Sequence, residues 1–267
     1  MGVSLVGISV IIPMIRYDTW LDEAVHSILN QEDVSVQVVV VHDGIEPDPT
    51  KSWHTDSRVT IVHSPARVGQ AAGMNLGVRH AEYDLIARLD SDDVSSPRRL
   101  AAQVAYLTSI PGAVATGTRV MRIDDQSAEI SELKYPSGPD VRKHLILQNV
   151  VPHSSLLMKK HAFYEAGGYD PSIRQMEDYE FILRLALLGP IGNVDELLTQ
   201  YRVHPGQVSR GAAPRGSHIQ KVLIARKQLS KNLGDSYLNY AIKALVWQAV
   251  QYLRYYKIVK PGYERKS

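Results

Sequence analysis

The segment Leu85–Asp93 reads LIARLDSDD, an apolar run that ends directly in a cluster of carboxylates. Three similar runs precede it, at Ile8–Pro13, Val36–Val41 and Val59–Val62. Continuous apolar runs of this length, rich in β-branched residues, are typical of strands buried on both faces, as in a parallel sheet. The carboxylates would then lie beyond the carboxyl end of a strand, where open α/β sheets bind their ligands.

Helical patterns separate these runs. Apolar residues recur at helical spacing in Thr19–Leu29 and Gln70–His80, and Ser96-Pro97 supplies a cap and a first-turn proline for a helix to about Leu107. This alternation predicts an α/β fold with a mostly parallel central sheet and helices on both faces. In the less regular second half, we predict strands at Ala113–Ile123, Ser154–Met158 and Leu197–Val203 and helices at 140–147 and 177–188.

The composition is that of an ordinary globular protein with enough chain for a sizeable core: 267 residues, 44% apolar and 22% charged. The absence of cysteine excludes disulfides, thiolate metal sites and a cysteine nucleophile. The start shows no secretory signal, and no run of about 18 apolar residues occurs. We therefore expect a cytoplasmic protein without a membrane-spanning helix.

The net charge of +2 is unevenly distributed along the chain. Residues 218–267 carry ten Lys and Arg against two acidic residues, a net of +8, and the rest carries twenty against twenty-six, a net of −6. A nucleic-acid-binding protein would carry its basic stripe on the folded face, so nucleic acid is not an expected partner. The basic tail instead fits contact with an anionic surface.

Asp90, Asp92 and Asp93 place three carboxylates within four residues. Their mutual repulsion has to be compensated, and Mg²⁺ does so, since it binds one or two carboxylates together with substrate phosphates. The alternative is a solvated acidic loop in which Asp93 or Ser95 caps the following helix. The position after a buried strand favours the metal interpretation.

Three further positions have both a structural and a functional interpretation. Asp43 follows the second strand in an Asp-Gly pair, which forms a turn or presents a carboxylate to the N–H of a nucleotide base. Glu177 and Asp178 open a helix, where they complement its dipole or where Asp178 stays ionised and accepts a proton from a substrate hydroxyl. His204 follows the last predicted strand, as a structural residue or as an imidazole ligand that suits Mn²⁺ better than Mg²⁺.

Seven motifs, in order over residues 7–208, resemble those of the inverting glycosyltransferases of family 2, which have the GT-A fold. Leu89–Asp93 resembles the family's D-x-D-D metal motif, and Met176–Glu180, with Arg184, its E-D-x-x-L-x-x-R helix. The others are the first strand at Ile8–Pro13, the Asp-Asp-Gly-Ser turn at His42–Gly44, the G-x-x-x-A-x-N-x-G helix at Val68–Gly77, the acceptor-side strand and glycine loop at His153–Ser155 and Gly167–Asp170, and the closing Y-R-x-H at Tyr201–His204. Each motif alone is weak, whereas the ordered set is specific.

The resemblance implies a transferase in polysaccharide biosynthesis. It would move a sugar from a nucleotide-diphosphate sugar, with a UDP-sugar favoured, to a hydroxyl of a glycan or lipid-linked glycan. It implies Asp178 as the catalytic base and a Mn²⁺ or Mg²⁺ ion held by Asp92, with Asp90 and His204 as further ligands. The other implied site residues are Pro13, Asp43, Arg67, Asp90 and Ser91 on the nucleotide-sugar side and His153, Gly168 and Glu177 on the acceptor side.

Three departures from the family pattern lie on the nucleotide side. Met14–Arg16 replaces Thr-Tyr-Asn, His42 and Ile45 replace the first Asp and the Ser of Asp-Asp-Gly-Ser, and Met74 replaces an Arg before the helix Asn. They leave the base and the sugar open, and they motivate a second hypothesis, a non-catalytic sugar-nucleotide-binding or partner-binding domain of the same fold. A third class, the haloacid-dehalogenase-like phosphatases, also places Asp-x-Asp after a strand, but near the amino end and without a following Asp.

We divide the chain into a catalytic domain at 1–208, a linker at 209–217 and a basic helical extension at 218–267. Apolar residues in the extension recur at spacings of three and four, which predicts an amphipathic helix. They are Leu238, Ile242, Leu245, Ala249, Tyr252 and Tyr256. This stripe packs on the catalytic domain or on another subunit of a homo-oligomer, or it lies on an anionic leaflet as a peripheral contact at the inner face of the membrane.

Overall fold

The computed structural model describes residues 5–207 and 216–255, with the side chains of residues 254 and 255 excepted. The strands are β1 (Gly7–Met14), β2 (Ser35–Asp43), β3 (Val59–Ser64), β4 (Leu85–Arg88), β5 (Val94–Ser95), β6 (Ala115–Ile123), β7 (Glu129–Leu133), β8 (Leu157–Lys159) and β9 (Ile191–Arg202). The α-helices are α1 (Thr19–Leu29), α2 (Gln70–Arg79), α3 (Arg99–Ser109), α4 (Arg142–Leu145), α5 (Lys160–Glu165), α6 (Glu177–Leu185), α7 (Gly216–Asn232) and α8 (Tyr237–Tyr255). Two short 3₁₀ turns cover Ser52–Thr55 and His153–Ser155.

The strands of the described chain form one mixed sheet in the order β3-β2-β1-β4-β8-β6-β9-β5, with β7 paired to β6. Strands β1 to β4 are parallel, β8 runs antiparallel to both β4 and β6, and β9 is parallel to β6. The chain order reverses at β1, because β2 and β3 lie on one side of it and β4 on the other. The crevice beyond the carboxyl ends of β1 and β4 is therefore the switch point where such sheets bind ligands.

Alternating side chains explain why the first two strands are mostly apolar, with Ser9 and Gln37 as buried polar residues that hydrogen-bond to each other. Ile11 and Val39 lie in one hydrophobic core, which contains residues of α2 and α6, and Val10 and Val38 lie in the other, which contains residues of α1 and α3. Since successive side chains of a strand point to opposite faces, a strand with a core on each side is apolar except where a buried polar residue finds a hydrogen-bond partner.

The first four predicted strands and the first two predicted helices are confirmed to within two residues at each end. The third helix begins later, at Arg99, because Ser96 and Pro97 form the turn before it and no side chain caps it. The predicted strand at 154–158 begins only at Leu157, after the 3₁₀ turn, and β9 begins six residues earlier than predicted.

Helices α7 and α8 share the hydrophobic core of α6. Val222 and Leu229 of α7 and Trp247 of α8 belong to the same buried cluster as Phe181 and Leu185 of α6. The division at residue 208 stays a prediction, since residues 208–215 lie outside the described residues. The predicted linker is wrong at its last two residues, because α7 already begins at Gly216.

The two faces of α8 have different surroundings. The stripe predicted from the sequence is exposed at its described large residues, Leu238, Ile242, Leu245 and Tyr252, whereas Tyr240, Ala244, Trp247 and Gln251 are buried against the protein. Packing of the stripe on the catalytic domain is therefore wrong for these residues, and Tyr256 lies outside the described residues. Across 5–207 and 216–255, none of the helices combines the length and the apolar composition of a membrane span.

Candidate active site

The three carboxylates after β4 form one cluster. One oxygen atom from each of Asp90, Asp92 and Asp93 lies within 4.8 Å of the others. The backbone N–H of Asp90 donates to Ser154 Oγ at 3.0 Å, which holds the turn in place. Burial and the charge of Asp90 raise the pKa of Asp92, and burial and the charge of Asp92 raise the pKa of Asp93 well above its ordinary value. A cation at this position would relieve that repulsion.

His204 meets the acidic turn from the end of β9. Its Nε2 lies 2.9 Å from Asp92 Oδ2, and its buried ring packs on Trp20 with the ring centroids 4.4 Å apart. Arg202, at the end of β9, holds this strand against the acidic turn. Its Nε donates to the carbonyl of Asp92 at 2.9 Å, and its backbone N–H donates to Asp93 Oδ1 at 2.8 Å. The fold thus brings together Asp92, His204 and Asp90, the three ligands that the resemblance implies.

Arg88 connects the acidic turn to α6. It lies 1% exposed within β4, and its guanidinium donates from Nη1 to Asp90 Oδ2 at 2.9 Å and from Nη2 to Asp90 Oδ1. The Gln70 amide, in the orientation that satisfies both neighbours, donates to Glu177 Oε1 at 3.0 Å and accepts from Arg88 Nη2. Hydrogen-bonded groups therefore run from Asp90 to Glu177 without a break. Sequence reasoning misses Arg88, although an arginine inside an otherwise apolar strand is the signal that identifies it.

Asp178 lies in the first turn of α6, which follows Met176 in a left-handed conformation with a φ of 63°. Few non-glycine residues adopt this conformation, and such positions cluster at functional sites. Asn149 Nδ2 donates to Asp178 Oδ2 at 3.0 Å. Burial raises the pKa of Asp178, and this outweighs the N–H of Tyr179, the charge of Arg88 and the bond from Asn149, which lower it. Burial, rather than the helix dipole, is thus the larger influence, and it makes the carboxylate a stronger base.

Glu177 is the carboxyl group beside the candidate base. It is 9% exposed, and burial together with the charge of Asp178 raises its pKa to about 7. A Glu177 that holds a proton near neutral pH reduces the repulsion on Asp178. Asn149, which bonds to Asp178, has no sequence signal, because a lone asparagine in a loop belongs to no pattern.

The glycine loop before α6 is held from two sides. Gly167 and Gly168 have φ of 83° and 66°, and a Cβ on Gly168 would lie 2.9 Å from Asn75 Oδ1. Asn75 donates from Nδ2 to the carbonyl of Tyr169 at 2.8 Å and accepts the Tyr169 N–H at 2.9 Å. Arg184 donates from Nη2 to the carbonyl of Gly168 at 2.7 Å. Two motif residues on different helices therefore fix the loop that carries Gly168.

His153 completes the predicted acceptor side. Its Nε2 lies 2.7 Å from the hydroxyl of Tyr169, in the loop that follows Gly168. Burial and the charge of Arg88 lower the pKa of His153, so the ring is neutral at physiological pH. Since the charge of Arg88 also acts on Glu177, His153 and Glu177 lie around the same guanidinium.

Asp43 ties β2 to the loop before α2. It is 4% exposed, and its two carboxylate oxygens accept the backbone N–H groups of Val68 at 2.5 Å and Gly69 at 2.9 Å. Each oxygen keeps a further lone pair, so contact with a nucleotide base stays a prediction for Asp43. The geometry assigns it a positioning role first.

The other predicted nucleotide-side residues lie at the same edge of the sheet. Pro13 is near the carboxyl end of β1, and Ser91 is half-buried within the acidic turn. Arg67 is exposed, and its backbone packs so closely on Gly44 that a Cβ there would lie 2.8 Å from Arg67 N. Gly44 has a φ of 72°, so glycine is required both for the turn and for this approach.

Three of the residues that depart from the family pattern are packing residues here. Met14 is 1% exposed and Met74 is fully buried, and each lies in a hydrophobic core. His42 is also fully buried, with Nδ1 3.2 Å from the hydroxyl of Tyr17, and burial lowers its pKa to about 4. These three substitutions therefore lie beneath the nucleotide side and leave the acidic turn and α6 intact.

The donor set fits a divalent cation. Carboxylate oxygens with one imidazole nitrogen are ligands that Mn²⁺ accepts, and carboxylates alone suit Mg²⁺. Asp93 Oδ2 is buried with no hydrogen-bond partner among the described residues, whereas Arg88 already neutralises Asp90. Asp93 Oδ2 is therefore open to a cation, and it lies in the same cluster as Asp92, whose Oδ2 lies against His204 Nε2.

Comparison with known proteins supports the same family throughout. The family model described as Glycosyl transferase family 2 matches residues 9–163. The chain is 32% identical to the O-antigen biosynthesis glycosyltransferase WbnJ of Escherichia coli over 214 residues, which is 77% of this chain and 83% of WbnJ. It is 26% identical to the amylovoran biosynthesis glycosyltransferase AmsE of Erwinia amylovora over 195 residues, 71% of this chain and 73% of AmsE.

Solved structures agree with the fold. TarS 1-349 of S. aureus in complex with UDP-GlcNAc superposes on 93% of this chain and 73% of its own length, with a TM-score of 0.69 and 15% identity. The complex of TarS 1-349 with UDP gives a TM-score of 0.63 over 89% of this chain and 68% of its own length. The predicted α/β fold of GT-A type is confirmed, and the phosphatase alternative is wrong. The chain belongs to glycosyltransferase family 2.

Proposed function

We propose that this chain is an inverting glycosyltransferase that moves a sugar from a UDP-sugar to a hydroxyl group of a glycan or lipid-linked glycan. The names of WbnJ and AmsE refer to O-antigen and amylovoran biosynthesis, which supports a surface polysaccharide as the product. The UDP and UDP-GlcNAc complexes of TarS support the donor class. A lipid-linked acceptor would place the enzyme in the cytoplasm at the inner face of a membrane, as a peripheral protein.

One observation carries the proposal. The bonded groups Asp90, Arg88, Gln70 and Glu177 join the acidic turn after β4 to the start of α6, where Asp178 lies. The turn and Asp178 come from parts of the chain nearly ninety residues apart, yet this network sets them around one guanidinium. This supports a donor diphosphate at the turn and an acceptor hydroxyl at Asp178 as parts of one active site around Arg88.

The chemistry assigned to the protein's own groups is a single displacement. Asp178 accepts the proton of the acceptor hydroxyl as that oxygen bonds to the anomeric carbon. The bond from the anomeric carbon to the diphosphate oxygen breaks, and the diphosphate leaves with the electron pair. Because the hydroxyl attacks from the side opposite the diphosphate, the anomeric configuration inverts. Asn149 keeps Asp178 oriented during the transfer.

Asp92 and His204, with Asp90 beside them, are the residues that would hold Mn²⁺ or Mg²⁺. When bound, such an ion neutralises charge on a departing diphosphate. The raised pKa of Asp92 indicates that the protein alone does not fully compensate this carboxylate. Mn²⁺ is the favoured ion where the imidazole takes part.

A thermal-shift screen of nucleoside diphosphates and their sugars, with and without Mn²⁺ or Mg²⁺, tests the donor. A ligand that binds only the native state increases the free energy of unfolding by mass action, by about 2.7 kcal/mol at a hundred times its Kd. The melting temperature rises as a result. We expect UDP and one UDP-sugar to shift the melting temperature only with the metal, and slow metal-dependent UDP release to follow. The anomeric configuration of a transferred sugar, read by NMR, tests inversion.

Binding without any release would favour the non-catalytic domain of the same fold. No shift with any uridine nucleotide, in the presence of either metal, would contradict the proposed donor. A product with the donor's own anomeric configuration would contradict the single displacement.

A further inference from the structure

Helix α8 has two apolar faces on opposite sides. The inner face packs on the protein through Tyr240, Ala244, Trp247 and Gln251, each at most 9% exposed. The other, here called the outer face of α8, consists of Leu238, Ile242, Leu245, Val246, Ala249, Tyr252 and Leu253. At 100° per residue these seven fall within an arc of about 120° that contains no polar residue.

The outer face is solvent-exposed over its whole length. Its six large apolar side chains are between 38% and 71% exposed. Single exposed apolar residues are common on protein surfaces, but a continuous apolar arc of about four helical turns marks an interaction site. No other described part of the chain covers it.

A lysine of α7 lies beside the start of α8. Ile224 of α7 is 59% exposed, and Lys227 and Lys231 lie three and seven residues further on the same side of the helix, both exposed. The Lys227 Nζ lies 5.5 Å from the centroid of the Tyr237 ring, which is 72% exposed at the start of α8. An apolar arc with lysines at its edge is the pattern of helices that lie in the headgroup region of a bilayer.

Charge decides which partner fits. Neither α7 nor α8 contains an acidic residue, and the twelve residues after Tyr255 carry four Lys and Arg and one Glu. A second copy of the chain would bring two basic surfaces together, whereas an anionic leaflet attracts them. We propose that the outer face of α8 docks on an anionic lipid bilayer, with its apolar side chains below the phosphates and Lys227 and Lys231 at phosphate level.

The docking surface lies close to the acceptor side. Trp247, on the inner face of α8, packs with its ring centroid 6.3 Å from that of Tyr179, the residue after Asp178. The outer face is therefore about one helix diameter, roughly 10 Å, beyond that contact. Delivery of a lipid-linked acceptor from the same bilayer rests on the proposed function, whereas docking itself does not.

Sedimentation of the full chain with vesicles tests the proposal. We expect binding to vesicles of equal parts phosphatidylcholine and phosphatidylglycerol, and little to phosphatidylcholine alone. Ile242→Glu with Leu245→Glu changes two positions that are exposed in the protein. It should weaken vesicle binding about tenfold or more, because two aliphatic side chains that would be buried in the bilayer are lost. Ile130→Glu, at a 50% exposed position on β7, is the matched control and should bind as the wild type does.

Lys227→Gln with Lys231→Gln tests the electrostatic part of docking. The double variant should bind vesicles more weakly at low salt, with a smaller effect in about 1 M salt, where charges are screened within roughly 3 Å.

UDP release by the same variants separates docking from catalysis, since none of these residues touches the site. Equal vesicle binding by the wild type and the Ile242→Glu, Leu245→Glu variant would overturn the proposal. A wild-type dimer that this variant converts to a monomer, measured by light scattering without any vesicle binding, would assign the face to a second copy instead. Loss of folding in the variant, detected by circular dichroism, is resolved by the milder Ile242→Ser with Leu245→Ser.

Discussion

Asn149 donates its side-chain amide to Oδ2 of Asp178 at 3.0 Å, so a loop residue fixes the carboxylate that we assign as the catalytic base. The amide is itself held, because the backbone N–H of Val151 donates to Asn149 Oδ1 at 3.2 Å. Asp178 therefore has its orientation set by the segment after α4 and its position set by α6. A base that is oriented before the acceptor binds needs little further ordering in the reaction.

Replacement of the base should separate binding from chemistry. Asp178→Asn keeps the shape and removes the proton acceptor, so UDP release should fall roughly 10²- to 10⁴-fold while UDP-sugar affinity stays unchanged. Isothermal titration calorimetry and a UDP-release assay measure the two quantities. Asp56→Asn, at a carboxylate that pairs with Arg58 just before β3, is the control and should release UDP normally. Near-normal release by Asp178→Asn would eliminate Asp178 as the base.

The bond from Asn149 should be visible in the pH profile. It lowers the pKa of Asp178, so its removal in Asn149→Ala should raise that pKa. Because the base acts only when deprotonated, activity is lost as the pH falls through this pKa, and the acid limb of kcat/KM should move to higher pH. Gln148→Ala, at an exposed neighbour, should leave the limb in place. A limb that stays fixed or moves to lower pH in Asn149→Ala would refute this positioning role.

Asp92 should matter for metal-dependent donor binding and little for folding. Asp92→Ala removes a carboxylate whose pKa is raised by burial and by Asp90, so the free protein should melt no lower than the wild type. The additional stabilisation that UDP gives with Mn²⁺ should disappear. Glu196→Ala, at an exposed position, is the control, measured in the same thermal-shift assay. An unchanged donor titration with metal would remove Asp92 from the site.

The C-terminal helices should unfold together with the catalytic core. Trp247 is 5% exposed and lies under the Arg226 guanidinium, whose carbon is 4.6 Å from the ring centroid. Trp247→Ala should therefore lower the free energy of unfolding by roughly 3–5 kcal/mol, in one transition. Tyr252→Ala, 60% exposed on the same helix, should change it by less than about 0.5 kcal/mol. Urea unfolding followed by circular dichroism checks both, and two separate transitions would show an independent extension.

The first half of the fold was predictable because the strands there are buried on both faces. In a run such as Val36–Val41, Gln37 is the one polar residue and the valines face the two cores in turn, so the pattern depends on the sheet alone. The second half could not be predicted as well, since β5 and β7 are short edge elements. Helix α7 buries the polar residues His218, Arg226 and Ser230, so its buried face does not show the apolar spacing of three and four residues that indicates a helix.

The site was predictable where its residues belong to a sequence motif. It was not predictable where a residue's role depends on contacts that only the folded chain makes. Asp92 and His204 belong to separate motifs, and the fold brings them into contact across 112 positions. Asn149 and Gln70 belong to no pattern that indicates their neighbours. The pKa of Asp178 was not predictable either, because its rise depends on burial that no local sequence feature encodes.

UDP release measured in the wild type, Asp92→Ala, Asp178→Asn and the double variant tests most directly whether the acidic turn and α6 serve one reaction. We expect each single variant to lose metal-dependent release. The double variant should be about as slow as the slower single variant, because groups that act as a unit are strongly non-additive. Release at the wild-type rate in either single variant would contradict a shared active site.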